Sequence, residues 1–260
     1  MARNTKPIKS DLAWSSPTRV VVRGKDLPSE ILGYFNLGDM AFLELTGRAP
    51  SPQESTVFNA IVVALVEHGM TPSALAARLT YAGAPESLQS AVAAGLCGLG
   101  SVFVGSMENA SRMLYDARAD TLAAADIELV AARIIAEHRE AGRIVPGIGH
   151  PLHKPIDPRT PRLFQIAAEN GLAGGYVELM QAIGRAAERA SGKSLPVNVT
   201  GAIGAICCEF GFPWQIVRGL GVMARSVGLV GHLLEESQQP MAVEIWQRVE
   251  DEASAHMREE

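Results

Sequence analysis

Long apolar segments, rich in alanine and glycine and separated by short breaks that contain glycine or proline, run through most of this 260-residue chain. Hydrophobic residues make up 47% of the chain but aromatic residues only 5%, so small side chains must form much of the core. Small side chains let helices approach closely, and glycine and proline end them. The pattern therefore predicts an all-α fold, with helices at about 57–66, 72–81, 86–98, 103–117, 121–141, 160–170, 174–192, 201–210, 213–236 and 240–256.

The N-terminal part of the chain has a different character. Residues 1–17 are polar and end in Ser-Ser-Pro, which predicts a loose arm. The β-branched run that follows, TRVVV at 18–22, precedes a glycine and predicts a short strand or hairpin. Further on, Ser51, Pro52 and Glu54 are arranged as a capped helix start, with serine at the cap and proline at the first helical position.

The longest break, PGIGHPLHKPIDPRTP at 146–161, holds the residues best suited to chemistry. Loops of this length in compact domains are often functional. His150 follows Gly147 and Gly149, whose backbones can adopt unusual angles and approach a ligand closely. A histidine can donate to, or take a proton from, an oxygen on a reacting carbon, and the Arg159 fork can pair with a carboxylate. The alternative is an ordinary loop histidine with a satisfied hydrogen bond.

Two further residues stand out in apolar surroundings. Arg225 lies between GLGVMA and SVGLVGHLLEE, and an arginine on a buried helix needs a partner, which could be Glu235 or a bound carboxylate. His68 ends the segment VALVEH, where a histidine could simply interact with the helix dipole. We expect His232 and Glu235 to brace the Arg225 helix, and His153 to lie at the surface.

Charge and cysteine content argue against several classes of protein. The net charge is −5 and there is no basic stripe, so nucleic acid is not an expected partner. Three cysteines, two of them adjacent, predict reduced thiols in the cytoplasm and lack zinc-ligand spacing. The N-terminus has no apolar core of a secretory signal. No uninterrupted apolar run approaches the ~20 residues that cross a bilayer, so we expect no membrane partner.

The order PGIGHP, DPR, NVTG and ARSVGLVGHLLEE resembles the citrate synthase superfamily, in particular its short citryl-CoA lyases and the lyase module of ATP-citrate lyase. The resemblance continues upstream in VVVRGKDL, LTGRAPSPQE and EHGMTPSALAAR, so it covers nearly the whole chain after about residue 18. It implies a large helical domain formed by 18–115 and 210–260, through which subunits pair. It also implies a small helical domain, 116–209, that carries the loop 144–161 and closes on substrate.

The resemblance also implies roles for the residues singled out above. His150 would contact the oxygen at the reacting carbon, His68 would bind a substrate carboxylate or hydroxyl, and Arg159 and Arg225 would hold carboxylates of oxaloacetate or citrate. No metal ion or redox cofactor is implied, and coenzyme A enters as a thioester substrate. The family backbone that cradles the adenine and thioester of coenzyme A corresponds here to Ile144, Pro146, Gly147, Ile148 and Gly149.

Three departures from the family pattern bear on the chemistry. Classical citrate synthases carry a second histidine that polarises the thioester carbonyl; Val104 stands near that place here, and the short lyases lack the histidine too. The family's catalytic carboxylate lies in NVD, whereas this chain has Thr200. A threonine hydroxyl is far too weak an acid to move protons near neutral pH, although Glu108, Glu209 or a water held by Thr200 could substitute. Pro151 replaces an arginine of ATP-citrate lyase.

The resemblance therefore predicts a cytoplasmic homodimer, or a dimer of dimers. Its expected activity is that of a carbon–carbon lyase or acyltransferase, nearest to citryl-CoA lyase, acting on an acyl-CoA and a short oxo or hydroxy dicarboxylate. Thr200 leaves two alternatives open. One is a paralogue that acts on a different acyl-CoA. The other is a non-catalytic subunit that binds coenzyme A or citrate and regulates or scaffolds a partner.

Overall fold

The computed structural model describes residues 7–123, 126–150 and 153–258, with only the backbone described at 118–123. Pro151 and the first six residues of the predicted arm lie outside the described residues. The chain divides into two compact units, Met1–Ala60 and Ile61–Glu260.

The first unit begins with a three-stranded antiparallel sheet in the order β1 (Ala13–Ser15), β2 (Val20–Val22) and β3 (Lys25–Asp26). Arg23 and Gly24 connect β2 to β3 with φ values of 49° and 79°, the positive values that a tight two-residue hairpin requires. The strand predicted at 18–22 is confirmed. Because β1 lies within residues 1–17, part of the predicted loose arm is instead a paired strand.

Two helical segments follow the sheet. A π-helical turn (Leu27–Ile31) precedes α1 (Leu37–Thr46), and Val22, Ile31 and Leu43 form a buried cluster between these elements and the sheet. The side chain of Asn36 caps α1 by accepting the Asp39 N–H at 2.8 Å. The sequence analysis did not predict α1, whose ten residues are preceded by a run without helical periodicity.

The helix α2 (Pro52–Val66) begins at the predicted cap. The Ser51 N–H donates to the Glu54 carboxylate at 2.8 Å, and the Glu54 N–H donates to the Ser51 hydroxyl at 3.2 Å. This reciprocal pair satisfies two backbone donors that a helix start would otherwise leave without partners.

In the second unit, nine further helices lie within the described residues. They match the predicted positions to within a few residues, except that α5 continues past 117 to Ala123 and α6 begins at Ile127 rather than at 121. Their bounds are α3 (Pro72–Gly83), α4 (Leu88–Cys97), α5 (Gly105–Ala123), α6 (Ile127–Glu140), α7 (Arg159–Glu169), α8 (Gly175–Ser191), α9 (Val199–Glu209), α10 (Trp214–Gln238) and α11 (Ala242–Arg258).

The helices of the second unit pack closely, as the abundance of small residues predicts. The main pairs are α3 with α4, α5 with α9, and α6 with α8, while α10 contacts α3, α4, α5 and α9. At Gly204 of α9, an added Cβ would lie only 2.9 Å from the Ala110 Cβ of α5. A larger side chain at Gly204 would therefore force these two helices apart.

By length and composition, α10 could cross a membrane, since an 18-residue window has a mean hydropathy of 1.2. However, 44% of that window is buried inside the protein, and the helix carries Arg225 and His232 among its buried residues. These are the features of the central helix of a packed core. The mostly helical fold with a small N-terminal sheet is therefore confirmed. The division into domains at 115/116 and 209/210 stays a prediction.

Candidate active site

The loop that precedes His150 is held against the start of α9 by backbone pairing. Ile148 forms an antiparallel bridge with Val197, and the Asn198 N–H donates to the Gly147 carbonyl at 2.9 Å. Gly147 has a φ of +82°, and an added Cβ there would lie 2.5 Å from the Gly201 Cα. Both the backbone angle and the close approach require glycine, which accounts for the PGIGH pattern.

Asn198 connects this loop to Thr200. Its side-chain oxygen caps α9 by accepting the backbone N–H groups of Thr200 at 3.0 Å and Gly201 at 3.1 Å. Its side-chain nitrogen donates to the Gly149 carbonyl at 2.5 Å. Sequence reasoning missed this role, and the only signal available was an asparagine three residues before the predicted helix start at 201.

The Thr200 hydroxyl lies in the first turn of α9 and takes part in this cap, although Thr200 is not the capping residue itself. It donates to the Asn198 side-chain oxygen at 2.6 Å and also bonds the Ser106 hydroxyl at 2.9 Å. Asn198 is the capping residue, and α9 begins at Val199, two residues before the predicted start at 201. Thr200 occupies a polar position that a carboxylate could also fill.

Asp157 and Arg159 form a buried ion pair at the start of α7. The Arg159 guanidinium donates to both oxygens of Asp157, at 3.0 and 2.9 Å, and the Val199 N–H donates to the same carboxylate at 3.0 Å. Asp157 is fully buried, and burial alone would raise its pKa; the bonds from Arg159 and Val199 outweigh that and lower the pKa below the ordinary value. Part of the Arg159 fork is therefore already occupied by a protein carboxylate.

Three histidines from two loops, His68, His150 and His153, lie together, and we refer to them as the histidine trio. The His150 and His153 rings are 4.4 Å apart between centroids, and the His68 ring is 6.2 Å from His150 and 5.7 Å from His153. The backbone N–H of His153 donates to the ring atom Nδ1 of His150 at 3.0 Å. The ring atoms Nε2 of His153 and His68 are 3.5 Å apart. The prediction that His153 is a surface residue is wrong, since its ring faces the other two.

Burial and neighbouring positive charge lower the pKa of His68 and of His150, which keeps these two rings neutral near pH 7. The pKa of His68 lies below its ordinary value, first because the ring is partly buried and then because Arg159, His153 and Arg225 place positive charge nearby. Burial and the neighbouring His153 likewise lower the pKa of His150, while the carboxylate of Asp157 opposes that shift. Arg159 and Arg225 therefore both lie close enough to His68 for their charges to act on it.

Arg225 is the least compensated charge in this region. Only 8% of the residue is exposed, and its guanidinium donates to the Leu65 carbonyl and the Thr71 hydroxyl, each at a long 3.4 Å. Burial lowers its pKa, and the negative charge of Glu67 opposes the shift. Within the described residues no carboxylate forms an ion pair with Arg225; Glu235, considered above as its partner, pairs with another arginine.

That other arginine is Arg78, which sequence reasoning missed. It is fully buried and donates to Glu236 at 2.8 Å, to Glu235, and to His232 Nδ1 at 3.2 Å through Nε. Because a guanidinium only donates, Nδ1 must accept, so Nε2 of His232 carries the proton and donates to Glu67 at 3.2 Å. The network stabilises α3 against α10.

Glu67 links the network to the trio. One carboxylate oxygen of Glu67 accepts the N–H groups of His68 at 2.7 Å and Gly69 at 2.6 Å. Burial alone would raise the pKa of Glu67. The hydrogen bonds from His68 and His232 lower it by more, so the pKa lies below its ordinary value. The turn that carries His68 is therefore held by a charged group anchored on α10. In the sequence, the five residues of this network stand in two distant segments, Glu67 and Arg78 in one and His232, Glu235 and Glu236 in the other, so no local pattern joins them.

We predict that Arg78→Met destabilises the protein strongly. It leaves the buried Glu236 carboxylate without its cation, and breaking a buried ion pair in this way typically costs about 3–5 kcal/mol. The measurement is the free energy of unfolding from urea titration. The matched control is Arg248→Met, which removes an exposed pair with Glu244 and should change the free energy by less than about 1 kcal/mol. Equal, small effects of the two substitutions would show that the buried network contributes little.

The predicted coenzyme A segment borders a cavity in the second unit. Ile144 and Pro146 line a cavity of about 570 Å³ together with Arg112, Arg143 and Asp116. Arg112 forms an ion pair with Asp116 at 3.8 Å, and Ile144 is 87% exposed. The cavity thus combines guanidinium groups with an exposed apolar side chain next to the loop that leads to His150.

The chain is similar to known proteins in both sequence and fold. Residues 36–246 match the family described as citrate synthase, C-terminal domain. The solved structure of citryl-CoA lyase from Hydrogenobacter thermophilus is similar, with a TM-score of 0.79 and 32% identity, covering 89% of this chain and 87% of that chain. ATP citrate lyase from Methanothrix soehngenii, solved with citrate and coenzyme A, shares the fold at a TM-score of 0.74 and 22% identity, covering 91% of this chain and 40% of that chain.

A curated relative extends the comparison. The ATP-citrate synthase beta chain protein 1 of Arabidopsis thaliana is 28% identical over 245 residues, which is 87% of this chain. The match covers only 39% of that protein, so this chain spans well under half the length of the curated relative.

Proposed function

The chain belongs to the citrate synthase family, and we propose that within it the protein is a citryl-CoA lyase-like enzyme. It would cleave or form the carbon–carbon bond between a CoA thioester and a short oxo dicarboxylate. The observation that carries the proposal is the buried Arg225 guanidinium, which lacks a carboxylate partner within the described residues and faces His68. A buried cation without a partner is unfavourable unless an anionic ligand completes the site.

Arg225 supplies the carboxylate site in this proposal, with support from Arg159. Two N–H groups of Arg159 are committed to Asp157, so its remaining donors can reach a ligand while the pair stays intact. Arg225 makes only two long bonds and keeps more of its fork available. The arrangement favours a dicarboxylate or tricarboxylate over a singly charged acid.

His150 supplies the group that contacts the reacting oxygen. Its Nδ1 accepts the His153 N–H, so in the neutral ring the proton lies on Nε2, which can donate to an oxygen on the substrate. When citryl-CoA is cleaved, the hydroxyl proton passes to solvent water and the hydroxyl oxygen becomes the carbonyl oxygen of oxaloacetate. The electrons of the broken carbon–carbon bond pass to an acetyl-CoA enolate, which then takes up a proton from water. A donor at His150 stabilises the negative charge on the oxygen.

The coenzyme A part of the proposal rests on the cavity beside Ile144 and Pro146. Arg112 and Arg143 suit phosphate groups, because guanidinium forks pair well with phosphate oxygens. The exposed Ile144 side chain suits the flat, apolar face of an adenine ring. No redox cofactor is needed, since the proposed cleavage involves no net oxidation.

We predict that Arg225→Ala weakens citrate and oxaloacetate binding by about tenfold to a hundredfold. Losing a charge-assisted hydrogen bond costs about 1.5–3 kcal/mol, which corresponds to that change in the dissociation constant. Isothermal titration calorimetry measures it, with circular dichroism to show that the variant is folded. The matched control is Arg162→Ala, which removes an exposed arginine paired with Glu169 and should leave binding unchanged. Parental affinity in Arg225→Ala would remove Arg225 from the site.

A second candidate function is favoured by the bonding of Thr200. Its hydroxyl is committed to Asn198 and Ser106, and it offers no acid–base group where the family carboxylate is expected. A protein that binds citrate or coenzyme A without turnover would have this arrangement. Binding of both ligands together with absent turnover on citryl-CoA would favour this candidate.

We also propose that the protein forms a homodimer or a dimer of dimers in the cytoplasm. In α10, exposed apolar side chains recur with helical spacing at Val227, Val230 and Leu234, and α11 exposes Val243 and Trp246. These exposed apolar side chains supply the surface of the proposed subunit contact. We expect sedimentation at micromolar concentration to give at least a dimer, and Trp246→Glu to shift it toward monomer. A monomeric parent protein would contradict the proposal.

A further inference from the structure

The histidine trio has the arrangement of a metal-binding site as well as a place in the proposed chemistry. His68, His150 and His153 each offer a ring nitrogen, and these three atoms all lie within 4.8 Å of one another. We propose that the trio binds a single divalent transition-metal ion of the Zn²⁺ type. This inference differs from the sequence analysis, which implied no metal ion and placed His153 at the surface.

The distances suit such an ion. Zinc binds imidazole nitrogen at about 2.0–2.1 Å in tetrahedral geometry, which separates two ligand nitrogens by roughly 3.3–3.4 Å. The Nε2 atoms of His68 and His153 are already 3.5 Å apart. These two rings can therefore hold the ion with little movement. Three protein ligands would leave the fourth position open, as in catalytic zinc sites.

His150 is the weakest of the three ligands. Its Nδ1 accepts the His153 N–H at 3.0 Å, so coordination through either ring nitrogen disturbs that bond. A metal ion bound at Nδ1 of His150 would displace the backbone N–H of His153. An ion bound at Nε2 would move the ring proton to Nδ1, where it would face the same backbone N–H, a second donor. The structure thus predicts an order of importance, with His68 and His153 ahead of His150.

The surrounding charges select the kind of ion. Arg159 and Arg225 oppose any cation, and the nearby carboxylate of Asp157 is already paired with Arg159. Ions that depend on carboxylate oxygens, such as Mg²⁺ and Ca²⁺, should therefore not bind. Zn²⁺, Co²⁺, Ni²⁺ and Cu²⁺ accept neutral imidazole ligands.

The inference stands on the geometry of the trio and holds whether or not the proposed lyase activity is correct. If that activity is correct, an ion coordinated by His68 and His150 occupies ring nitrogens that would otherwise contact the substrate, and it therefore acts as a reversible inhibitor. Metal binding itself is therefore the appropriate readout, because it does not require turnover.

The experiment is a titration of the metal-free protein with Zn²⁺ by calorimetry, and with Co²⁺ by visible absorption, which reports tetrahedral coordination. We expect one ion per chain. Replacing a residue that hydrogen-bonds to a metal ligand typically weakens metal binding by about 10–100-fold. The substitution His153→Ala removes a ligand itself, so it should weaken Zn²⁺ binding at least as much. His153→Gln serves as a second variant if the alanine protein is poorly folded.

Two control variants separate the trio from other metal-binding groups. His138→Ala removes a histidine whose Nδ1 bonds the Ile134 carbonyl outside the trio, and Cys97→Ser removes an exposed thiol. Both should bind Zn²⁺ like the parent. Absence of stoichiometric binding, unchanged binding in both His153 variants, or loss of binding in Cys97→Ser would each overturn the inference.

Discussion

Thr200→Asp should raise the rate of citryl-CoA cleavage by about one to four decades, the range that a positioned general acid or base contributes. The proposed reaction needs a proton for the acetyl-CoA enolate, and the threonine hydroxyl cannot supply it near neutral pH. The cleavage rate under saturating citryl-CoA, with oxaloacetate release followed in a coupled assay, measures the gain.

The hydrogen bonds around Thr200 indicate where the new carboxylate would point. The Asn198 oxygen faces Thr200 and is fixed as an acceptor by two backbone N–H groups, so an ionised carboxylate would turn away from it. The Ser106 hydroxyl, now 2.9 Å from the threonine oxygen, can donate to the carboxylate instead. Aspartate in the first turn of α9 also interacts favourably with the helix dipole, so stability should change little.

The matched control for this substitution is Thr200→Asn. Asparagine has nearly the same shape as aspartate but cannot donate or accept a proton in catalysis, so it should give no gain. Equal rates for Thr200→Asp, Thr200→Asn and the parent would mean either that the protein acts on another substrate or that it is a binding subunit.

His150→Ala should lower the turnover of citryl-CoA by about 10²–10⁴-fold without unfolding the protein. The substitution removes the donor to the oxygen on the reacting carbon, and it also removes the acceptor of the His153 N–H. The matched control, His138→Ala, changes a histidine outside the trio and should keep parental turnover. Parental turnover in His150→Ala would exclude the proposed role of His150.

The pH dependence of the same reaction should reflect the protonation of His150 and His68. Burial lowers the pKa of both His150 and His68 below the ordinary histidine value of 6.5, so both rings are mainly neutral at pH 7. Protonation of His150 at lower pH would break its bond to the backbone N–H of His153. The acidic fall in kcat/KM should therefore be centred below pH 6.5, and a fall centred above pH 7 would contradict a neutral His150.

Most of the helical fold could be predicted from the sequence because its signals are local. Apolar segments bounded by glycine and proline gave the positions of α3 to α11, and the Ser51–Glu54 cap gave the start of α2. The short helix α1 was missed because its ten residues do not form a strong period, and strand β1 because its partner lies on the far side of a turn.

The residues of the candidate site could be predicted where they belong to a sequence motif. Their hydrogen-bond and ion-pair partners could not, because these are set by packing between segments far apart in the chain. His68, His150, Arg159 and Arg225 do converge, as the motif order indicates. The partners of these residues came only from the structure, since Asp157 occupies part of Arg159, and Glu235 serves Arg78, 157 residues away in the chain. No local pattern distinguishes such a buried arginine from a solvated one.

The most direct test of the proposed function is incubation of the protein with citryl-CoA, with acetyl-CoA and oxaloacetate measured by chromatography. Calorimetric binding of citrate and coenzyme A would be measured beside it. We expect both products to appear together in equal amounts, faster than in buffer, with the rate lost in His150→Ala and citrate affinity reduced in Arg225→Ala. The proposal would be contradicted if the folded parent protein released neither product and bound neither citrate nor coenzyme A.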